Sequence, residues 1–229
     1  MQKAVISGDI ISSTSLIIED REVLEKNLKK LLEELKKTFN VFGRLIKGDY
    51  LELVIPEPQN ALRIALAIKS FVKSIQLKDV SLYTTNNKVK LFKTHGVRLA
   101  IGYGELLRFD EEEGIIDGEA IYLSGRIIND SSTHNKERIV IKNTLYFSSK
   151  NEKLNTMFEP LFALLDILIS KATSRQCEVL YLKLLNNNED MIAKKMNISQ
   201  SVVNQHSTSL GWNSIEKAVD FYNKTIINN

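Results

Sequence analysis

The chain has 229 residues, of which 43% are hydrophobic and 26% charged; three prolines and ten glycines exclude a collagen-like or largely disordered chain. Lys and Arg number 31 against 28 Asp and Glu, a formal +3, which excludes an extended polybasic tail but leaves room for a small nucleic-acid-binding face. The single cysteine, Cys177, excludes an intramolecular disulfide and a multi-cysteine zinc site, and the length allows one large domain or two modest ones.

Val5–Ser7 is a short β-branched run closed by Gly8-Asp9, the pattern of a strand meeting a turn. From Arg21 to Asn40, Val23, Leu24, Leu28, Leu31, Leu32, Leu35 and Phe39 recur at three- and four-residue steps, which predicts an amphipathic helix. Val41–Lys47 and Tyr50–Ile55 read as strands joined by a Lys47-Gly48-Asp49 hairpin turn. Pro56 and Pro58 close the hairpin before a helix over Gln59–Ser74, with Leu62, Ala65, Leu66 and Ile68 inward. Asn86-Asn87 reads as a polar connection and Val97–Tyr103 as a strand. Asp110–Glu113 reads as a solvated acidic loop, Gly118–Ser131 as a helix and Arg138–Lys142 as a strand. That order predicts an α+β fold, a mostly antiparallel sheet with helices on one face.

After Lys150 the β-rich character stops. Leu154–Ser170 is apolar with helical period, and Arg175–Leu185, Glu189–Met196 and Gln200–Leu210 follow as short helices. A last helix over Ile215–Asn223 would start at an Asn213 or Ser214 cap, with Trp212 and Phe221 packing it onto the small domain. The expected division is 1–150 for the α+β unit, 151–172 for a linker helix and 173–229 for a small all-α unit. The apolar stretch Phe162–Ile169 is broken by Asp166 and too short for a bilayer. The N-terminus meets Asp9 too soon for a signal peptide, so the expectation is a cytoplasmic protein without a membrane partner.

The all-α unit carries a helix-turn-helix pattern. Asn188 caps a helix whose first turn holds Glu189 and Asp190, Ala193 allows close helix approach, Asn197 suits a left-handed turn residue, and Ile198 fills the turn. Ser199 then caps a second helix anchored by Val202 and Val203. Its outward residues would be Gln200, Ser201, Asn204, Gln205 and His206, amide-rich side chains suited to base edges, with Ser199 at its start. Lys194, Lys195 and Arg175 are candidate phosphate contacts. A helical bundle used only for dimerisation is the plainer alternative, and residues 171–229 hold seven basic against five acidic side chains, a weak field for DNA.

In the first unit, Asp9 after the first strand and Asp49 in the hairpin turn would share a sheet edge if their strands are neighbours. Two carboxylates plus nucleotide phosphates suit Mg²⁺, and Ser12, Ser13 and Thr14 offer hydroxyls or backbone donors to a nucleotide. The plainer alternative makes both aspartates ordinary turn residues.

Ile6-Ser7-Gly8-Asp9-Ile10-Ile11-Ser12-Ser13-Thr14 resembles the first metal-binding segment of class III nucleotidyl cyclases. Ile46-Lys47-Gly48-Asp49-Tyr50-Leu51 resembles their second. Val97–Leu106 is similar to their Arg-x-Gly-Ile-x-x-Gly strand, and Gly118–Ile127 to the helix that carries Asn and Arg four residues apart. The resemblance covers about residues 1–145 and implies a ferredoxin-like, palm-shaped sheet with Asp9 and Asp49 as metal ligands and Arg126 as a vestigial catalytic arginine. It also implies a degenerate site. Tyr122 stands where the family has its transition-state asparagine, Leu45 and Ile115 stand at the base-selecting lysine and its acidic companion, and no late catalytic lysine is evident.

The pairing of that unit with Ser199–Trp212 resembles bacterial SatD-like proteins, whose tail is similar to sigma-factor and response-regulator helix-turn-helix modules. The reading is a DNA-binding transcriptional regulator, homodimeric through a catalytically degenerate cyclase-like domain that senses a nucleotide with Mg²⁺. The alternatives are an active Mg²⁺- or Mn²⁺-dependent cyclase and a scaffold whose Leu154–Ser170 helix forms a dimer seam.

Overall fold

The computed structural model describes residues 2–77, 87–131 and 141–229. Its central strand, β1 (Gln2–Ile10), is buried from Ala4 to Gly8, because it is covered on both faces. The helix α1 (Ile18–Phe39) lays Leu24, Leu28, Leu31 and Leu35 on one face of the sheet and ends where Asn40 turns left-handed at φ 52°. The hairpin β2 (Phe42–Ile46) and β3 (Tyr50–Ile55) turns through Lys47 and Gly48, both at positive φ. That is the backbone a two-residue turn between twisted strands requires.

After a 3₁₀ turn at Pro58–Asn60, α2 (Ala61–Ser74) is buried nearly all round its circumference. A helix with that pattern must be covered on both sides. The sheet covers one side, and a later helix, Ser174–Leu184, covers the other. Next come α3 (Asn87–His95) and the long strand β4 (Val97–Asp110). β4 pairs antiparallel with β1 along Val97–Glu105 and with β5 (Ile115–Gly118) at its far end. It also pairs in parallel with β6 (Leu145–Ser149) along Leu99–Tyr103.

The sheet order is β2-β3-β1-β4-β5, with every neighbouring pair on this path antiparallel. The βαββαβ succession from β1 to β4 is the ferredoxin-like arrangement that the cyclase resemblance implies, and it fits the α+β fold expected from the pattern of strands and helices. The helix α4 (Glu119–Ser131) lies on the face opposite α1 and α2. It approaches β4 so closely that a Cβ on Gly102 would sit 2.0 Å from the Ala120 carbonyl oxygen, so only glycine fits there. The long helix α5 (Glu152–Lys171) packs on β6 through Phe158 and Phe162. The helices α6 (Ser174–Leu184), α7 (Glu189–Met196), α8 (Gln200–Leu210) and α9 (Trp212–Ile227) complete the chain. One hydrophobic core runs from Ala4 to Ile226, and Tyr222 of α9 joins the Phe147, Phe158 and Phe162 cluster.

Several local readings change. Asn87, expected in a polar connection, begins α3; Asn86 lies outside the described residues. Of the strand expected over Arg138–Lys142, only Ile141 and Lys142 are described, and they are not in a strand; the strand is β6, three residues on. α9 starts at Trp212, so Asn213 and Ser214 lie inside its first turn, and Gly211 at φ 80° closes α8 and opens α9. Phe221 meets the Phe158 ring of α5, 6.2 Å between centroids, and remains 46% exposed. Trp212 stays with the small helices, under the Lys183 ammonium.

Candidate functional site

The sheet topology brings Asp9 and Asp49 to one edge. Asp9 lies opposite Tyr50 in the ladder, and the Ile10 amide donates to the Asp49 carbonyl at 3.0 Å. Each carboxylate has an orienting partner. Arg98 Nη1 donates to both Asp9 oxygens, at 3.1 and 3.3 Å, and the Ser13 hydroxyl donates to Asp49 Oδ2 at 2.7 Å. Arg98 is 2% exposed, so its charge is held among strands and is best matched by a carboxylate. Tyr50, beside Asp9, has its phenol pushed above its usual range by burial, against a hydrogen bond with Ser7 that lowers it.

Ser12 is left-handed at φ 57° and starts the short 3₁₀ turn that buries Ser13 and exposes Thr14. Arg21 of α1 fastens this turn, donating to the Leu16 and Thr14 carbonyls. Ser13, Thr14, Arg21, Glu25, Lys47 and Asp49 then line a cavity of about 210 Å³. Its size suits a phosphate group better than a whole nucleotide. Asp9 and Ser12 do not line it; its oxygen donors are the Ser13 and Thr14 hydroxyls and the Glu25 and Asp49 carboxylates, a hard set appropriate to Mg²⁺ with phosphate, beside the Arg21 and Lys47 cations. Arg21 and Lys47 are the residues the sequence reading missed here. Nothing in their local pattern marks them, because the sheet edge assembles them from α1 and the hairpin.

On α4, Arg126 is exposed, and Tyr122, in the asparagine position, donates its hydroxyl to Asp117. Ser124 faces inward, its hydroxyl 2.8 Å from that of Ser7. Leu45 packs against the core in β2, and Ile115 is half-buried at the start of β5.

A second polar cluster is buried, and no motif announced it. Lys69 of α2 has no exposure and reaches Asp166 of α5 at 2.9 Å. Its ammonium also donates to the His95 and Val97 carbonyls and to Thr144 Oγ1. Thr144 in turn donates its amide and hydroxyl to Asp166. Burial pulls the Lys69 ammonium down, against the opposing pull of Asp166. Burial would raise Asp166, yet Lys69 and Thr144 bring it below its usual value. One turn on, Lys73 donates to the Ile169 and Ser170 carbonyls at 2.7 and 2.8 Å, capping the C-terminal end of α5. Burial lowers Lys73 to about 8. Cys177 is buried beside these lysines, its thiol pushed up to about 11 by burial, as suits a core residue rather than a nucleophile.

In the all-α part, Asn188 accepts from the Met191 amide and caps α7, and Asn197 is left-handed at φ 52°. The Ile198 amide returns to the Ala193 carbonyl, closing the turn. Ser199 occupies the capping position of α8 but makes no capping bond; its hydroxyl pairs with Ser201 instead. Val203 is buried and Val202 half-buried. Gln200, Ser201, Asn204 and Gln205 are exposed along one face of α8, and His206 is half-buried at its margin. Lys194, Lys195 and Arg175 are exposed at the surface, and Lys195 and Arg175 also line a groove against α1 and α2. Among the described residues, no helix is long and apolar enough to cross a membrane, and no group of three or more His, Cys, Asp or Glu is placed to hold a metal ion.

Neither a protein-family model nor a curated protein matches the sequence. Among solved structures, a bacterial light-regulated adenylyl cyclase is similar at TM-score 0.45 and 15% identity, over 64% of this chain and 75% of that one. A second such structure gives TM-score 0.40 and 14% identity, over 65% and 43%. The guanylyl cyclase Cya2 gives 0.32 and 17%, over 58% and 71%. These are resemblances of coarse fold at low identity, and no residue's role is carried over from them.

Proposed function

We propose that the chain is a DNA-binding regulator in which a cyclase-like α+β unit carries a helix-turn-helix. The observation that supports this most is α8 itself: Gln200, Ser201, Asn204 and Gln205 share one exposed face of a helix that follows a tight left-handed turn at Asn197. A major groove admits such a helix, and paired amide groups match adenine edges. Lys194, Lys195 and Arg175 supply the phosphate contacts, few in number, so affinity falls only modestly with salt. A second copy of the chain would present a second α8 to the other half of a two-fold site.

In the same reading, Asp9 and Asp49 with Ser12, Ser13 and Thr14 take Mg²⁺ and the phosphates of a nucleotide, which then acts as a signal rather than a substrate. When bound, the cation supplies charge neutralisation for the phosphates; Ser13 orients Asp49, and Arg98 orients Asp9. A regulatory role is favoured over turnover by Tyr122, which stands in the asparagine position and is bonded to Asp117, and by the exposed Arg126.

Binding of genomic DNA fragments to the full chain tests the reading. Removing either amide, in Gln200→Ala or Asn204→Ala, is expected to cost about 1–3 kcal/mol of discrimination between bases. Retention of the same fragments by the double variant, at unchanged affinity, would remove the DNA-reading role.

A further inference from the structure

Between α1 and α2 on one side and α6 and α7 on the other lies an open groove of about 870 Å³, within the range of small-molecule sites. Its lining is mixed: Phe71 rests on Tyr181 with 4.8 Å between ring centroids, and Ile75, Leu182 and Met196 extend this apolar floor, while Asn27, Ser74 and Gln76 add polar groups. Both carboxylates on its walls are already engaged. Glu34 accepts from the Tyr181 hydroxyl, and Glu178 holds Arg175 at 2.9 Å. Burial pushes the Tyr181 phenol far above its usual value, so it stays a neutral donor and leaves Glu34 occupied. Lys30 of α1 and Lys195 of α7 also face the groove, and neither has an anionic partner among the described residues. Glu34 keeps its charge under that neutral donor, so three cations, Lys30, Lys195 and Arg175, face two carboxylates, and the excess positive charge falls on Lys30 and Lys195, which have no ion-pair partner among the described residues.

We infer that this groove binds a small organic phosphate, a dianion for Lys30 and Lys195 with an apolar body for the Phe71–Tyr181 floor. Lysine recognises phosphate as a point charge, so two lysines from different helices select a group with two negative charges. The bound dianion bridges α1 to α7, the helix that precedes α8. A regulatory consequence follows and rests on the DNA-binding reading: Lys195 is one of the three cations offered to the DNA backbone, so the ligand competes with DNA for it.

Calorimetric titration of the full chain with AMP, with pyrophosphate and with adenosine, at low ionic strength, with EDTA so that the Mg²⁺-dependent site stays silent, and without DNA, tests the site. AMP or pyrophosphate is expected to bind. The double variant Lys30→Ala/Lys195→Ala should weaken that binding at least about tenfold, because both charge-assisted hydrogen bonds to the phosphate are removed. Lys30→Arg/Lys195→Arg should retain it, and Lys224→Ala, an exposed lysine of α9 outside the groove, should leave it unchanged. A thermal melt of each variant shows that the fold persists, since both lysines lie at the surface. AMP binding more tightly than pyrophosphate identifies an organic ligand that uses the floor, whereas equal affinities overturn the organic part of the proposal and leave inorganic phosphate chemistry as sufficient. No binding of either phosphate, binding unaffected by removal of both lysines, or an equal loss in Lys224→Ala would overturn the proposal. Failure of α8 to bind DNA would leave all these outcomes untouched.

Discussion

The Lys69–Asp166–Thr144 cluster and the outer face of α8 are both polar, and they are built to opposite rules. In the first, every donor and acceptor named has a partner inside the protein, and the residues come from α2, α5 and the chain just before β6. On α8, Gln200, Asn204 and Gln205 point outward, and the neighbouring serines bond only locally. Polar groups satisfied internally fix architecture. Those left to solvent along one helical face are free to recognise something else. The contrast separates the residues whose loss should unfold the chain from those whose loss should only silence it.

The largest expected effect is at the buried cluster. Lys69→Met leaves Asp166 buried without its cation and is expected to cost about 3–5 kcal/mol in denaturant unfolding. Lys69→Met/Asp166→Leu should recover most of that loss, because a volume-matched apolar pair removes the stranded charge. If the double variant is as unstable as the single one, the cluster holds the helices by shape rather than by charge pairing. Gly102→Ala comes next. The added methyl would meet the Ala120 carbonyl at 2.0 Å and push α4 off the sheet, a strain of about 1–3 kcal/mol that a thermal melt would register.

A pH titration gives a smaller, signed effect. Burial lowers His95 to about 4, from 6.5, with the Lys69 charge adding to that direction. The unfolded chain therefore takes up this proton first as pH falls, and stability drops between about pH 6.5 and 4. His95→Gln should flatten that part of the profile relative to the parent; parallel curves would mean that other groups dominate the acid transition. The smallest effect is expected on α8, where Gln200→Ala and Asn204→Ala should each change stability by less than about 0.5 kcal/mol. A larger loss would show that these amides belong to the same class as Lys69.

How much of this was legible depended on how local the cause is. α7 and α8 have the bounds their periodicity predicts, because capping, turn and apolar spacing all lie within a few residues. The β2–β3 hairpin was equally readable, since Lys47 and Gly48 carry the turn. α3 was not: only Val89 and Phe92 are buried in it, too few to set a period. The Asp9–Arg98 pair spans 89 positions, and Lys73 reaches Ser170 across 97, with Lys69–Asp166 joining the same two helices. Such partners are set by the closing of the sheet and the docking of α5, and no window of sequence contains both ends. The groove between α1 and α7 is legible only in three dimensions, for the same reason.

Gly211 serves two helices at once, ending α8 and beginning α9 with no residue between. The far end of α8 is thus tied to a helix whose Tyr222 is sunk among the aromatic rings beside β6. With no slack segment at that junction, α8 is carried as a fixed prong of the whole body, not as a swivelling arm. On the proposed DNA-binding reading, two such bodies joined in a pair would tolerate little variation in the distance between the two half-sites.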